Sequence, residues 1–193
     1  MNLESYTIVI TGLGGQGLIR LLQLLGSTLM KEGYKVITSE THGLSQRGGK
    51  VTCFLRFGNK LYAPIPMIRT ADMIIALEES SILDALKYTK PDKNTKLIIS
   101  TYEKKIIGKE YPSLKYLIDI LFEHSDNIYF IPATSIAEEV IKNPKVANTV
   151  ILGYVLRFLP IKKDLLEDSL KEQLIGESLD VNLKAFEEGS NLQ

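Results

Sequence analysis

The chain has 193 residues, of which 45% are hydrophobic, so it can bury the core of one domain spanning residues 1–193. Its 23 Lys and Arg balance its 23 Asp and Glu, and this zero net charge does not favour a nucleic-acid or membrane partner. The chain does not begin with a basic segment and a long apolar run, and no stretch approaches the roughly 18 apolar residues of a membrane span. We therefore expect a cytoplasmic protein.

Cys53 is the only cysteine, and the two histidines lie far apart in the sequence. One cysteine cannot form an intramolecular disulfide, nor can it hold an iron–sulfur cluster, which typically takes about four thiolates. A zinc site is also poorly supported. Because Cys53 lies between Thr52 and Phe54 in a strand-like run, a small buried core residue is favoured over a reactive thiol. We expect no metal site in this chain.

The first predicted elements are a strand, a glycine-rich turn and a helix. β-Branched residues at positions 7–11 favour a strand, and leucines recur at helical spacing over residues 18–29. The turn between them contains Gly12, Gly14, Gly15, Gln16 and Gly17. Free amide N–H groups and the positive end of a helix dipole would meet there, which suits a phosphate or another anion.

The rest of the chain alternates between predicted strands and helices. A strand at residues 34–40 would complete a βαβ unit with the first strand, and Gly58-Asn59 predicts a hairpin turn into a further strand at residues 60–62. The other predicted strands are 50–57, 71–77, 96–100 and 128–131, and the predicted helices are about 80–88, 114–122, 135–141, 146–159, 164–174 and 179–186. We expect an α/β fold: an open, Rossmann-like, mostly parallel sheet with flanking helices and a helical C-terminal tail at about residues 160–190.

A polar, glycine-rich loop at residues 41–49 is a second candidate binding element. In it Arg47 stands beside Gly48 and Gly49, and a guanidinium next to flexible backbone suits a phosphate or a carboxylate. An arginine in a surface turn explains the pattern equally well. Asn148 is a polar residue in an otherwise apolar helix, where it hydrogen-bonds loop backbone, contacts a ligand or faces solvent.

No set of residues in the chain is recognisable as catalytic. His42 has no identified partner. Glu78 and Glu79 follow a predicted strand at the edge where α/β folds bind ligands, but carboxylates are equally favoured at the start of a helix. We therefore expect no catalytic residue in this chain.

The spacing of Gly12, Gly14 and Gly17, with Glu40 about twenty residues further on, fits the dinucleotide-binding fingerprint. A self-contained NAD- or FAD-binding protein is therefore an alternative function. The Gly15-Gln16 pair departs from the usual small residues, and the chain has little room for a substrate domain. A third interpretation is an assembly scaffold in which the glycines only shape the fold.

Several segments together resemble one known family. In chain order they are Gly12-Leu-Gly-Gly-Gln-Gly17, Glu40-Thr-His-Gly-Leu-Ser-Gln-Arg-Gly-Gly49, Arg56-Phe-Gly58, Ala71-Asp72 with Leu77-Glu78, Ala147-Asn148 with Leu152-Gly153, and Asn182-Leu-Lys-Ala-Phe186. These blocks resemble the gamma-type subunit or domain of 2-oxoacid (pyruvate):ferredoxin oxidoreductases. They are most similar to the small (beta) subunit of indolepyruvate ferredoxin oxidoreductase, from about residue 6 to residue 189.

The resemblance implies that the chain is one subunit of a larger enzyme and is inactive alone. Such an enzyme oxidatively decarboxylates a 2-oxoacid, here indolepyruvate or another aryl pyruvate, to an acyl-coenzyme A and reduces ferredoxin. Thiamine diphosphate and iron–sulfur clusters are expected on the large alpha subunit, through which ferredoxin is reached. A coenzyme A phosphate is the anion expected at the glycine turn and at Arg47, Gly48, Gly49 and Asn148.

Overall fold

The computed structural model describes residues 3–42, 49–102 and 112–193. Its sheet has six strands: β1 (Tyr6–Leu13), β2 (Lys35–His42), β3 (Lys50–Gly58), β4 (Met73–Ala76), β5 (Lys96–Ser100) and β6 (Asn127–Ile131). They lie in the order β2-β3-β1-β4-β5-β6. The pairs β1–β4, β4–β5 and β5–β6 are parallel, whereas β3 is antiparallel to both of its neighbours. The expected α/β fold with a mostly parallel sheet is confirmed.

β3 separates the two strands of the predicted βαβ unit. β1 and β2 run in the same direction, as predicted, but they are not neighbours in the sheet. The hairpin predicted after β3 is wrong, because residues 60–62 form no strand and β3 pairs instead with β2. Asn59 and Lys60 donate their N–H groups to the carbonyls of Leu3 (3.1 Å) and Glu4 (2.8 Å), which directs the chain across the start of β1.

Helices cover both faces of the sheet. Successive side chains of β1 point to opposite faces, and each set is buried in a different core cluster. Ile8 and Ile10 belong to the core cluster that helices bury on one face, and Val9 belongs to the cluster on the other face. The helices of the first face are α1 (Leu18–Lys31), α5 (Ala147–Val155), α6 (Lys163–Gln173) and α7 (Glu177–Asn191). The short helix α4 (Ala133–Ser135) also packs there and continues into a π turn at Ile136–Val140. The second face carries α2 (Ile82–Ala85), between two 3-10 turns, and α3 (Leu114–His124).

The two predicted closing helices are confirmed as α6 and α7, and this helical C-terminal segment packs into the core. Leu166, Leu170 and Phe186 are buried in the same cluster as α1. Within the described ranges, no helix combines the length and the apolar character that crossing a membrane requires.

Candidate functional site

The glycine turn joins the carboxyl end of β1 to α1, at the edge of the sheet where open α/β folds bind ligands. Gly17 immediately precedes α1 and has a φ of 78°, a conformation that favours glycine. Among the described residues, no side chain caps the start of α1, and its first turn contains no acidic residue. Because the first N–H groups of a helix have no partner within it, this end of α1 can receive an anion.

Gln16 fixes the inner side of the turn with its side-chain amide. Its Oε1 accepts a hydrogen bond from the Leu13 N–H at 2.6 Å, and its Nε2 donates to the Leu77 carbonyl at 3.2 Å. A Cβ at Gly12 would lie 2.7 Å from Gln16 Oε1, so a larger residue here would displace the Gln16 amide from its present position. Gln16 therefore ties the end of β1 to the end of β4, and both ends of its amide are engaged by backbone groups of the protein.

Asn148 and Gly49 hold the outer side of the turn. The Nδ2 of Asn148 donates to the Gln16 carbonyl, so of the three alternatives left open for this residue the bond to loop backbone is the one observed. A Cβ at Gly17 would lie 2.9 Å from that Nδ2, a second reason for glycine there. The Gly14 N–H donates to the Gly49 carbonyl at 2.8 Å, which brings the end of the loop before β3 onto the turn.

Most of the residues singled out in the sequence are thus neighbours in the structure. They are Gly12, Gly14, Gly15, Gln16, Gly17, Gly49 and Asn148. Arg47 and Gly48 lie outside the described residues, so their place at the site stays a prediction.

A cavity of about 400 Å³ opens beside the turn, between α1, α5 and the end of β5. Two exposed cations line it, Arg20 in the first turn of α1 and Lys145 just before α5, together with one carboxylate, Glu138. Two cations and a helix amino terminus against one carboxylate favour a bound anion. The sequence reasoning missed both cations. Arg20 could have been found from its place three residues after Gly17, whereas nothing in the sequence links Lys145 to the turn.

The acidic residue of the dinucleotide fingerprint is far from the glycine turn. Because β3 lies between β1 and β2, Glu40 is two strand spacings, about 10 Å, from β1. Glu40 pairs with Cys53, and Cys53 pairs with Ile10, so Glu40 is level with the middle of β1 and not with its carboxyl end. A ribose beside the turn would be out of reach of this carboxylate. The geometry therefore disfavours the NAD or FAD alternative.

Two further titratable groups have structural roles. Cys53 is buried, and burial, with a contribution from the charge of Glu40, raises the pKa of its thiol to about 11. The thiol is therefore neutral at physiological pH, and the predicted core role is confirmed. Glu78 is 1% exposed, and its Oε2 accepts hydrogen bonds from Ser80 Oγ at 2.8 Å and the Ser81 N–H at 2.9 Å. This confirms the helix-start interpretation of Glu78.

Known proteins of one family match this chain over nearly its whole length. The family model described as pyruvate ferredoxin/flavodoxin oxidoreductase matches residues 7–192. Indolepyruvate oxidoreductase subunit IorB of Archaeoglobus fulgidus is 33% identical, over 95% of this chain and 93% of that protein. IorB of Pyrococcus horikoshii is 31% identical, over 97% of this chain and 95% of that protein. The pyruvate/ketoisovalerate oxidoreductases common subunit gamma of Thermococcus kodakarensis is 30% identical, over 93% and 92%.

Solved structures share the fold. Pyruvate oxidoreductase subunit PORC of Thermotoga maritima aligns with a TM-score of 0.73 at 19% identity, over 97% of this chain and 96% of that one. The 2-oxoglutarate:ferredoxin oxidoreductase of Magnetococcus marinus, with 2-oxoglutarate, coenzyme A and succinyl-CoA bound, aligns with a TM-score of 0.76 at 23% identity. The alignment covers 97% of this chain and 31% of that longer chain. Since the family model matches nearly every residue and the fold agrees, the chain belongs to the pyruvate ferredoxin/flavodoxin oxidoreductase family.

Proposed function

We propose that this chain is the small, gamma-type subunit of a 2-oxoacid:ferredoxin oxidoreductase of the indolepyruvate type. The observation that carries the proposal is the identity of 33% with an indolepyruvate oxidoreductase subunit over nearly the full length of both chains. The enzyme would oxidatively decarboxylate an aryl pyruvate, transfer the acyl group to coenzyme A and reduce ferredoxin. It would act in the cytoplasm.

The redox chemistry of this enzyme belongs, in our proposal, to the larger partner. The single cysteine of this chain falls short of the roughly four thiolates that hold an iron–sulfur cluster, and it is buried and neutral. We place thiamine diphosphate, the clusters and the contact with ferredoxin on the large alpha subunit. The small chain would complete the assembly and bind part of coenzyme A, and alone it would be inactive.

We assign the cavity beside the glycine turn to a phosphate of coenzyme A. The support is the uncapped start of α1, with Arg20 and Lys145 at the same cavity. Charge-assisted hydrogen bonds from such groups are the usual means of holding a phosphate. Arg47 remains part of the proposal on its sequence pattern alone, because a guanidinium next to Gly48 and Gly49 suits a phosphate.

Replacing either cation of the cavity is expected to weaken coenzyme A binding. Arg20→Ala and Lys145→Ala should each raise the dissociation constant of the assembled enzyme by about 10- to 100-fold, since a hydrogen bond to a charged group contributes about 1.5–3 kcal/mol. Isothermal titration of the anaerobically purified complex would measure this effect, and Arg47→Ala belongs in the same series. Titration with dephospho-coenzyme A would identify the phosphate concerned.

The matched control for this series is Lys115→Ala. Lys115 is exposed on α3, on the opposite face of the sheet, so its removal changes the net charge equally without touching the cavity. The dissociation constant of coenzyme A for the Lys115→Ala enzyme should equal that of the wild type. If the Arg20 and Lys145 variants also bind coenzyme A as the wild type does, the ligand does not occupy this cavity.

A further inference from the structure

A loop between β3 and β4 exposes apolar side chains to solvent. We call residues 61–68 the apolar loop. Its exposed side chains are Tyr62 (86% exposed), Ile65 (52%), Met67 (78%) and Ile68 (60%). Large apolar side chains exposed together on one loop are typical of interaction sites, and aromatic residues and Met are enriched in interface cores.

The backbone of the apolar loop is anchored although its side chains are exposed. Pro64 and Pro66 restrict its backbone angles. The anchoring hydrogen bonds run from Arg56 Nη1 to the Ala63 carbonyl (2.6 Å), from Thr70 Oγ1 to the Met67 carbonyl (2.7 Å) and from the Arg69 N–H to the Lys87 carbonyl (3.0 Å). A loop already held in one conformation loses little freedom on binding, so more of the free energy of apolar burial remains for association.

The surroundings of the apolar loop are basic. Arg69 and Lys87 are exposed beside it. The carboxylate of Glu4 is already paired with Lys60 at 2.6 Å. A symmetric pair of copies would place these cations opposite one another, because both copies use the same surface. A different protein, with carboxylates around an apolar pocket, is the complementary partner.

We propose that the apolar loop is the surface through which this chain docks on the companion subunit of its enzyme. The inference rests on the proposed function and adds to it the surface and the chemistry of the partner. The names of the relatives describe subunits, and in Magnetococcus marinus the equivalent fold is 31% of a longer chain. Tyr62 and Met67 would fill an apolar pocket of the companion subunit, and the exposed Arg69 and Lys87 would meet its carboxylates.

The apolar loop and the anion cavity lie near opposite ends of β1. Phe57, close to the end of β3, pairs with Tyr6 at the amino end of β1, whereas the glycine turn follows its carboxyl end. The eight residues of β1 span about 25 Å. Substitutions in the apolar loop therefore do not contact the cavity, and the two proposals can be tested separately.

The test compares the double variant Tyr62→Glu/Met67→Glu with Ile175→Glu. Ile175 is 85% exposed and lies between α6 and α7, so it matches Tyr62 in exposure but not in location. Tagged full-length chains are purified anaerobically from the native cell, and the larger chain carrying iron and thiamine diphosphate is quantified per small chain. For the double variant we expect at least a tenfold loss of larger chain recovered per small chain, as for an interface hot spot. For Ile175→Glu we expect the same amount of larger chain per small chain as for the wild type.

The outcomes separate this inference from the proposed function. A wild-type chain that recovers no such larger chain contradicts the proposed function. Full recovery with both the wild type and the double variant contradicts the docking surface alone. Thermal unfolding of each isolated chain checks folding, and Tyr62→Ser/Met67→Ser repeats the test without added charge. The inference would also be overturned if the wild-type chain self-associates, or binds phosphatidylserine vesicles, and the double variant does not.

Discussion

Gly189→Ala is expected to destabilise the protein by about 3 kcal/mol or more. A Cβ at this position in α7 would lie 1.9 Å from the Val150 carbonyl oxygen of α5. The same close approach of α5 and α7 is found at Gly153 of α5, since a Cβ there would lie 2.2 Å from the Phe186 carbonyl oxygen of α7. Both obstacles are helix backbone and cannot move aside as a flexible side chain would. The two helices would have to separate, which would disturb the buried packing of Phe186.

Urea unfolding of the isolated full-length chain measures this effect, with Gly26→Ala as the control. Gly26 lies inside α1, and a Cβ there would have Val36 Cγ1 as its nearest neighbour at 3.7 Å, an ordinary contact. Alanine also has the higher helix propensity, so this variant should gain about 0.5–1 kcal/mol. A Gly189→Ala protein that unfolds at the wild-type urea concentration would contradict the close crossing of α5 and α7.

Gln16→Ala is the second substitution with a large expected effect. It leaves the Leu13 N–H and the Leu77 carbonyl without their side-chain partner. An unsatisfied buried polar group costs about 1–3 kcal/mol, and because these two hydrogen bonds are only partly buried we expect a loss of about 2 kcal/mol in the free energy of unfolding. The turn would also lose the support that positions the start of α1. Coenzyme A binding by the assembled enzyme should weaken at least tenfold.

Gln173→Ala is the matched control, because this glutamine is exposed and its Nε2 makes one long hydrogen bond, to Ser27 Oγ at 3.4 Å, within the part of the chain that the structure describes. Its stability and coenzyme A affinity should match the wild type. Urea unfolding and isothermal titration measure both quantities. If Gln16→Ala also behaves as the wild type does, the side chain of Gln16 does not hold the turn.

Local sequence patterns predicted much of the fold. The β-branched run before Gly12 and the leucine spacing after Gly17 determined β1, the turn and α1, because each depends on residues close in sequence. The order of the strands depends on pairing between distant segments. The hairpin predicted from Gly58-Asn59 is therefore wrong, because the Asn59 N–H donates to the carbonyl of Leu3, far away in the sequence.

The sequence pointed to the glycine turn but not to the cations of the cavity beside it, and the ligand role of the turn stays a prediction. The motif blocks identified the family, which the family model confirms over residues 7–192. Gln16 was expected at a ligand, but its amide engages Leu77, which is 61 positions away in the sequence. Arg20 and Lys145 line the same cavity because α1 and α5 pack on the same face of the sheet, and no local sequence pattern indicates that packing.

Anaerobic purification of the tagged chain from its own cell tests the proposed function most directly. The co-purifying protein would be identified by mass spectrometry and analysed for iron and thiamine diphosphate. We predict a stoichiometric larger chain that carries both, in a complex that reduces ferredoxin with an aryl pyruvate when coenzyme A is present. Recovery of this chain alone, with NAD or FAD bound, would contradict the assignment as a subunit and restore the dinucleotide-binding alternative.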